Sequence, residues 1–239
     1  MRIQIMKAII LAAGRGSRMK SLTDDKPKCL TPFRGKPLIE HQLTALNHAG
    51  IYDICIVTGY LHEMLINYGS HQVHNFEWEN TNMVYSLLCA TEWLGSEPFI
   101  LSYADLAYTT HTIAALNKEK QNITVAYDPD WRTLWEKRFD NPLDDAETFK
   151  LDSENFLLDI GKKTNNIDEI QGQYMGLIKF QSDQLSVIKK IFLSVNNPKL
   201  DMTTALSVAI SNGTRIKAVP KVGFWVEIDS EEDLIACQA

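Results

Sequence analysis

Arg18 and Lys28 flank a setting suited to polyphosphate. The chain reads Leu11-Ala12-Ala13-Gly14-Arg15-Gly16-Ser17-Arg18, and Lys28 follows ten residues later in Lys26-Pro27-Lys28. Small residues let backbone N–H groups approach a triphosphate, and Arg18 and Lys28 supply mobile positive charge. No Gly-Lys-Ser/Thr ends the turn, which excludes a P-loop, and the third glycine of the dinucleotide fingerprint is missing. Two acidic positions lie farther on. Asp105 follows the apolar run Ile100-Leu101-Ser102-Tyr103, while Glu227 and Asp229 alternate in Trp225-Val226-Glu227-Ile228-Asp229 and so share a strand face.

These groups need a scaffold that gathers strand ends. Lys7 to Leu11 is a continuous apolar run entering the glycine loop, the pattern of a buried parallel strand. Pro37 to Ala49 reads as a helix stopped at Gly50. Ile54–Thr58, Phe99–Tyr103 and Ile123–Tyr127 read as further strands, with helices over Met83–Leu94 and Thr110–Lys118 between them. That alternation predicts an α/β fold, a doubly wound, mostly parallel mixed sheet of Rossmann-like type. It places Asp105 at the carboxyl edge, where such sheets bind ligands. From Pro129 to Asn166 the composition shifts to tryptophan, acids and short β-like runs, Thr148–Leu151 and Phe156–Ile160, without an amphipathic helix of normal length. We read this as a small β-rich lobe, 129–166, inserted into one domain spanning 1–239. Tyr174–Phe180, Ile216–Val219 and Phe224–Ile228 read as strands. Gln184–Leu193 and Met202–Ser211 read as helices, with another beginning near Ser230.

Composition narrows the partners. The net charge of −6 comes from interspersed acids, and no basic stripe could neutralise a row of phosphates. Nucleic acid is therefore not expected. No segment approaches the roughly 18 consecutive apolar residues of a membrane span, and the first residues show no cleavage-site pattern. Cys29, Cys55, Cys89 and Cys237 fit neither a metal spacing nor a disulfide framework, which suits a cytoplasmic protein. A homodimer is compatible with the sequence but not required by it.

The loop resembles the nucleotidyltransferase signature Leu-x-Ala-Gly-x-Gly-x-Arg…Pro-Lys, matched by Leu11, Ala13, Gly14, Gly16, Arg18, Pro27 and Lys28. The resemblance implies that the backbone of Ala12, Ala13, Gly14, Arg15 and Gly16 holds base and ribose. It also implies that Arg18 binds the departing phosphates and Lys28 stabilises charge on the α-phosphate. Family members carry a metal-binding aspartate where Asp105 stands, and a second carboxylate site where Glu227 or Asp229 stands. Mg2+ is the implied cofactor, since it takes a couple of carboxylates plus phosphate oxygens and water. Asn82-Met83-Val84-Tyr85-Ser86-Leu87 resembles a stretch of bacterial phosphocholine cytidylyltransferases, which points to CTP and places Asn82 and Ser86 at the nucleotide. Asn82 equally suits a plain helix cap.

The lobe suggests the acceptor. Trp131 and Trp135 interleave with acids before Asp144, Asp145 and Glu147, and Glu169 and Tyr174 follow. Such a mixture can enclose an alkylammonium by cation–π contact and charge pairing. Asp145-Ala146-Glu147-Thr148-Phe149 and Gly172-Gln173-Tyr174-Met175-Gly176 resemble cytidylyltransferases that activate phosphocholine or 2-aminoethylphosphonate. Lys162 lies where sugar-nucleotide relatives place an acceptor-phosphate lysine, with Lys163 an equal candidate. The expectation is transfer of CMP from CTP to a small phosphorylated or phosphonylated amine or alcohol, releasing pyrophosphate. Alternatives are a sugar-1-phosphate nucleotidyltransferase using dTTP or UTP, and a catalytically silent nucleotide-binding regulator.

Overall fold

The computed structural model describes residues 5–238. Seven strands form the main sheet: β1 (Lys7–Ala12), β2 (Ile54–Thr58), β3 (His71–His74), β4 (Phe99–Tyr103), β5 (Ile123–Asp128), β6 (Gln173–Phe180) and β7 (Ile216–Pro220). Their order is β7-β5-β6-β4-β1-β2-β3. β6 runs antiparallel to both neighbours, and every other pairing is parallel, so the expected mixed α/β sheet is present.

The central strands are largely apolar because helices cover both faces. Ile9, Val57, Leu101 and Val125 point to one layer, where they meet Leu87, Ile188 and Leu206. Ala8, Ile10, Ile56 and Ile100 point to the other, against Leu46 and Ile113. Each valine, leucine or isoleucine among them, fully withdrawn from water, contributes about 1.5–3 kcal/mol. The helices are α1 (Leu38–His48), α2 (Met83–Cys89), α3 (Thr91–Leu94), α4 (Thr110–Lys118), α5 (Trp131–Arg138), α6 (Leu185–Val195), α7 (Met202–Ser211) and α8 (Glu231–Gln238). Among the described residues, no helix is long and apolar enough to cross a membrane.

Several features depart from the sequence reading. The helix expected over Met83–Leu94 is two, divided at Ala90. The edge strand β3 was not anticipated. The lobe opens on α5, where no helix was expected. Trp131, Leu134, Trp135 and Arg138 fall at helical spacing and face inward, but the exposed Arg132, Thr133, Glu136 and Lys137 between them mask the stripe. The predicted short strands do form a hairpin, Phe149–Leu151 against Leu157–Ile160.

Candidate active site

The glycine loop leaves the carboxyl end of β1 and wraps the mouth of a cavity of about 280 Å3. Gly16 has φ +73°, and a Cβ there would stand 2.7 Å from the Lys28 side chain. Glycine thus permits both the left-handed turn and the passage of Lys28 beneath it. Lys28 is nearly buried, and its Nζ donates to Asp105 Oδ2 at 2.7 Å and pairs with Asp229. Arg18 is exposed, with a guanidinium nitrogen 3.0 Å from Asp229 Oδ1. The two cations approach the cavity differently, Lys28 nearly buried and Arg18 largely exposed, and both reach Asp229.

The acids come from distant parts of the chain. Leu106–Tyr108 pairs antiparallel with Trp225–Glu227, with Glu227 opposite Leu106. Ile228 N–H donates to the Asp105 carbonyl at 3.0 Å, which locks the chain just before Asp229. Carboxylate oxygens of Asp105, Glu227 and Asp229 consequently lie within 4.8 Å of one another. Burial, reinforced by Asp229 and Asp105, pushes the Glu227 carboxyl well above the usual carboxylate range. Burial also opposes charge on Asp229, but Lys28 and Arg18 outweigh it and hold that carboxyl below its ordinary value. Asp105 Oδ1 is buried and has no hydrogen-bond partner among the described residues.

A second layer fixes this edge. Ser230 and Asp233 form a reciprocal capping box: Asp233 N–H donates to Ser230 Oγ, and Asp233 Oδ2 accepts from the N–H groups of Ser230 and Asp229. Arg138, from the last turn of α5, grips Asp233 with two bonds of 2.5 and 2.9 Å. A third guanidinium nitrogen of Arg138 stands 3.7 Å from Glu227. Neither Arg138 nor Asp233 was singled out in the sequence. The Ser-x-x-Asp spacing signals the cap, but the arginine that reaches it comes from another element.

Leu11, Ala12, Ala13, Gly14, Gly16, Arg18, Lys28, Asn82, Ser86, Asp105 and Asp229 all line the cavity, and Glu227 joins through the acid cluster. Arg15 turns its side chain away, onto Asp24 at 2.6 Å and over the Tyr60 ring. Trp78, Thr81, Met83 and Tyr103 also line the cavity, and sequence reasoning missed them as site residues. Tyr103 ends β4, beside the ligand-binding edge already identified. Trp78 and Thr81 sit in the aromatic and amide-rich approach to α2, the available signal.

The acceptor residues fare differently. Trp131 and Trp135 are 4% and 0% exposed and belong to the core. The Trp131 indole donates to the Ile170 carbonyl, and Trp135 donates to Asp145 and stacks on Trp225. They cannot form the expected ammonium cage, because their faces pack against protein. Asp144 accepts from Asn141, Glu169 pairs with Lys150, and the exposed Lys162 pairs with Asp159. Lys163 donates to the Asp144 and Asp145 carbonyls. Glu147 and Tyr174 do share a small cavity of about 30 Å3 with Gly161, Gln173 and Thr203. Burial pushes the Glu147 carboxyl up, and Lys163 works against that shift.

A basic cradle facing an acid cluster across one cavity, at the carboxyl ends of a mostly parallel sheet, defines a protein built around nucleotide phosphates. The chain belongs to the MobA-like NTP transferase domain family, whose model matches residues 8–148. A CTP:phosphoglutamine cytidylyltransferase from Campylobacter jejuni is 38% identical, covering 96% of this chain and 98% of that protein. A choline-phosphate cytidylyltransferase from Streptococcus pneumoniae is 43% identical over 95 residues, which are 38% of this chain and 42% of that one. In fold, the inositol-1-phosphate CTP transferase from T. maritima matches with a TM-score of 0.76 at 20% identity, covering 100% of this chain and 98% of that one.

Proposed function

We propose that this protein transfers CMP from CTP to a small phosphate or phosphonate that carries a primary amine or amide, with release of pyrophosphate. The observation that carries the reading is the single cavity in which the glycine loop, Lys28 and the Asp105–Glu227–Asp229 cluster face one another. The 38% identity to a cytidylyltransferase along nearly the whole chain supports the choice of CTP. The core positions of Trp131 and Trp135 favour an amine or amide, recognised by hydrogen bonds and charge, over a trimethylammonium that would want an aromatic cage. Glu147 and Tyr174, which line a small cavity of their own, are the groups we assign to that end of the acceptor.

The loop backbone holds base and ribose, and Arg18 binds the β- and γ-phosphates. Lys28 places an ammonium at the α-phosphate. An acceptor oxygen, already anionic at neutral pH, attacks the α-phosphorus in line. The new O–P bond forms as the bond to the β-phosphate oxygen breaks, and no proton need move, so no general base is required. The protein's contribution is positioning and charge neutralisation. Asp105, Glu227 and Asp229 are hard oxygen donors that fit Mg2+, and the unpartnered buried oxygen of Asp105 is suited to a cation. Bound there, the ion would neutralise charge on the reacting phosphate oxygens. Four free thiols, three of them buried, suit a reducing cytoplasm.

Pyrophosphate release, assayed with each of four triphosphates against phosphoglutamine, phosphocholine, 2-aminoethylphosphonate and glucose-1-phosphate, tests the reading. Release with CTP and an amine- or amide-bearing acceptor supports it. Release with dTTP or UTP and the sugar phosphate replaces it with a sugar nucleotidyltransferase. Tight CTP binding without release from any acceptor replaces it with a silent regulator.

A further inference from the structure

Behind the cavity wall, just after β3, Asn75 is completely buried. Its Oδ1 faces the backbone N–H of Glu77 at 2.9 Å. A backbone N–H can only donate, so that contact fixes which end of the amide is oxygen. The amide's two hydrogens must then go to its other neighbours, Thr81 Oγ1 at 3.0 Å and Ser86 Oγ at 3.1 Å. Thr81 agrees with this polarity, since its own hydroxyl donates to the Glu77 carbonyl at 2.7 Å. The direction of every hydrogen bond around Asn75 is therefore determined. Ser86, which lines the cavity, accepts from Asn75 and has no acceptor for its own hydrogen among the described residues.

We propose that Asn75 is a positioning residue that sets base specificity by fixing Ser86 as a hydrogen-bond donor into the nucleotide cavity. Cytosine presents acceptors at N3 and O2, whereas uracil and thymine carry a hydrogen on N3. A freely turning hydroxyl could serve either kind of base, as donor or acceptor. Ser86 has one lone pair engaged by a buried amide and a hydrogen with no protein acceptor among the described residues, so it donates to cytosine N3. A uracil N3–H could use only the remaining lone pair and would leave the serine hydrogen unmatched. An unmatched polar pair in a buried site discriminates more strongly than a change of shape. This inference rests on the reading that the cavity holds the pyrimidine beside Ser86.

The test measures CTP and UTP binding by calorimetry and kcat/KM for both nucleotides. Asn75→Asp replaces the donor with an acceptor, so Ser86 turns its hydrogen toward the new carboxylate and shows the cavity a lone pair. Its CTP-over-UTP preference should fall by about tenfold or more, through KM, with kcat at saturating CTP nearly kept. Asn75→Ala frees the hydroxyl and should give an intermediate loss. Ser86→Ala removes the donor while sparing Asn75 and should also lower the preference. Thermal melts establish that each variant is folded. An unchanged preference in folded N75D or N75A overturns the inference alone. Equal binding of CTP and UTP by the unsubstituted protein overturns both the inference and the cytidine reading beneath it.

Discussion

Around the glycine loop, Arg18 and Lys28 pair, among the described residues, with the acids they face, Asp105 and Asp229. In the lobe that follows Pro129, the polar and aromatic side chains expected at the acceptor are mostly engaged within the protein. Trp135 bonds Asp145, Glu169 bonds Lys150, and Lys162 bonds Asp159. The nucleotide half can thus be built from a short contiguous motif, because a loop at a strand end carries its own geometry. The lobe must first make a stable unit from few residues, and of the side chains the sequence offered for the acceptor, Glu147 and Tyr174 line a small cavity. A residue's chemical type predicts its role only where folding has left that chemistry unused.

Substitutions on either side can break or sharpen this contrast. Lys28→Ala, in the nucleotide half, should lower turnover about 10²–10³-fold while the far-UV spectrum stays native; pyrophosphate release measures it, and near-normal turnover would remove Lys28 from the chemistry. Arg138→Met breaks the tie between the halves and strands Asp233 and Glu227 without their buried partner. It should cost about 3 kcal/mol in urea unfolding and weaken Mn2+ binding about tenfold, seen by paramagnetic resonance. A variant as stable as the parent would show that the arginine is incidental.

Smaller effects belong to the acceptor lobe. Glu147→Gln should raise the acceptor's KM about tenfold and leave that for CTP within about twofold, which steady-state kinetics can separate. Equal rises in both would place Glu147 outside the acceptor site. Lys162→Ala should change the acceptor's KM less than about twofold, because an exposed pair with Asp159 contributes little. A tenfold loss would return the lysine to the acceptor phosphate, and the contrast between the two regions would weaken.

Much of the fold was legible. Apolar runs of strand length with helical segments between them identify a sheet covered on both faces, and β1, β2, β4, β5 and β6 lie where those runs fall. α5 was hidden because its inward stripe is only half of a strongly polar helix. β3 was hidden because His71-Gln72-Val73-His74 is a short edge strand without apolar alternation.

By itself the sequence determined where the glycine loop lies, which cations flank it and which acids could meet them, since a glycine turn and its flanking residues are set by local backbone sterics. Tertiary structure alone decided that Asp105, Glu227 and Asp229 converge. That outcome depends on one short antiparallel pairing between segments from distant parts of the chain. It also decided that Trp131 and Trp135 are core, because spacing reveals that a helix has an apolar face but not what covers it. The orientation of the Asn75 amide has the same origin: only the packed loop brings the Glu77 N–H to one end of it and two hydroxyls to the other.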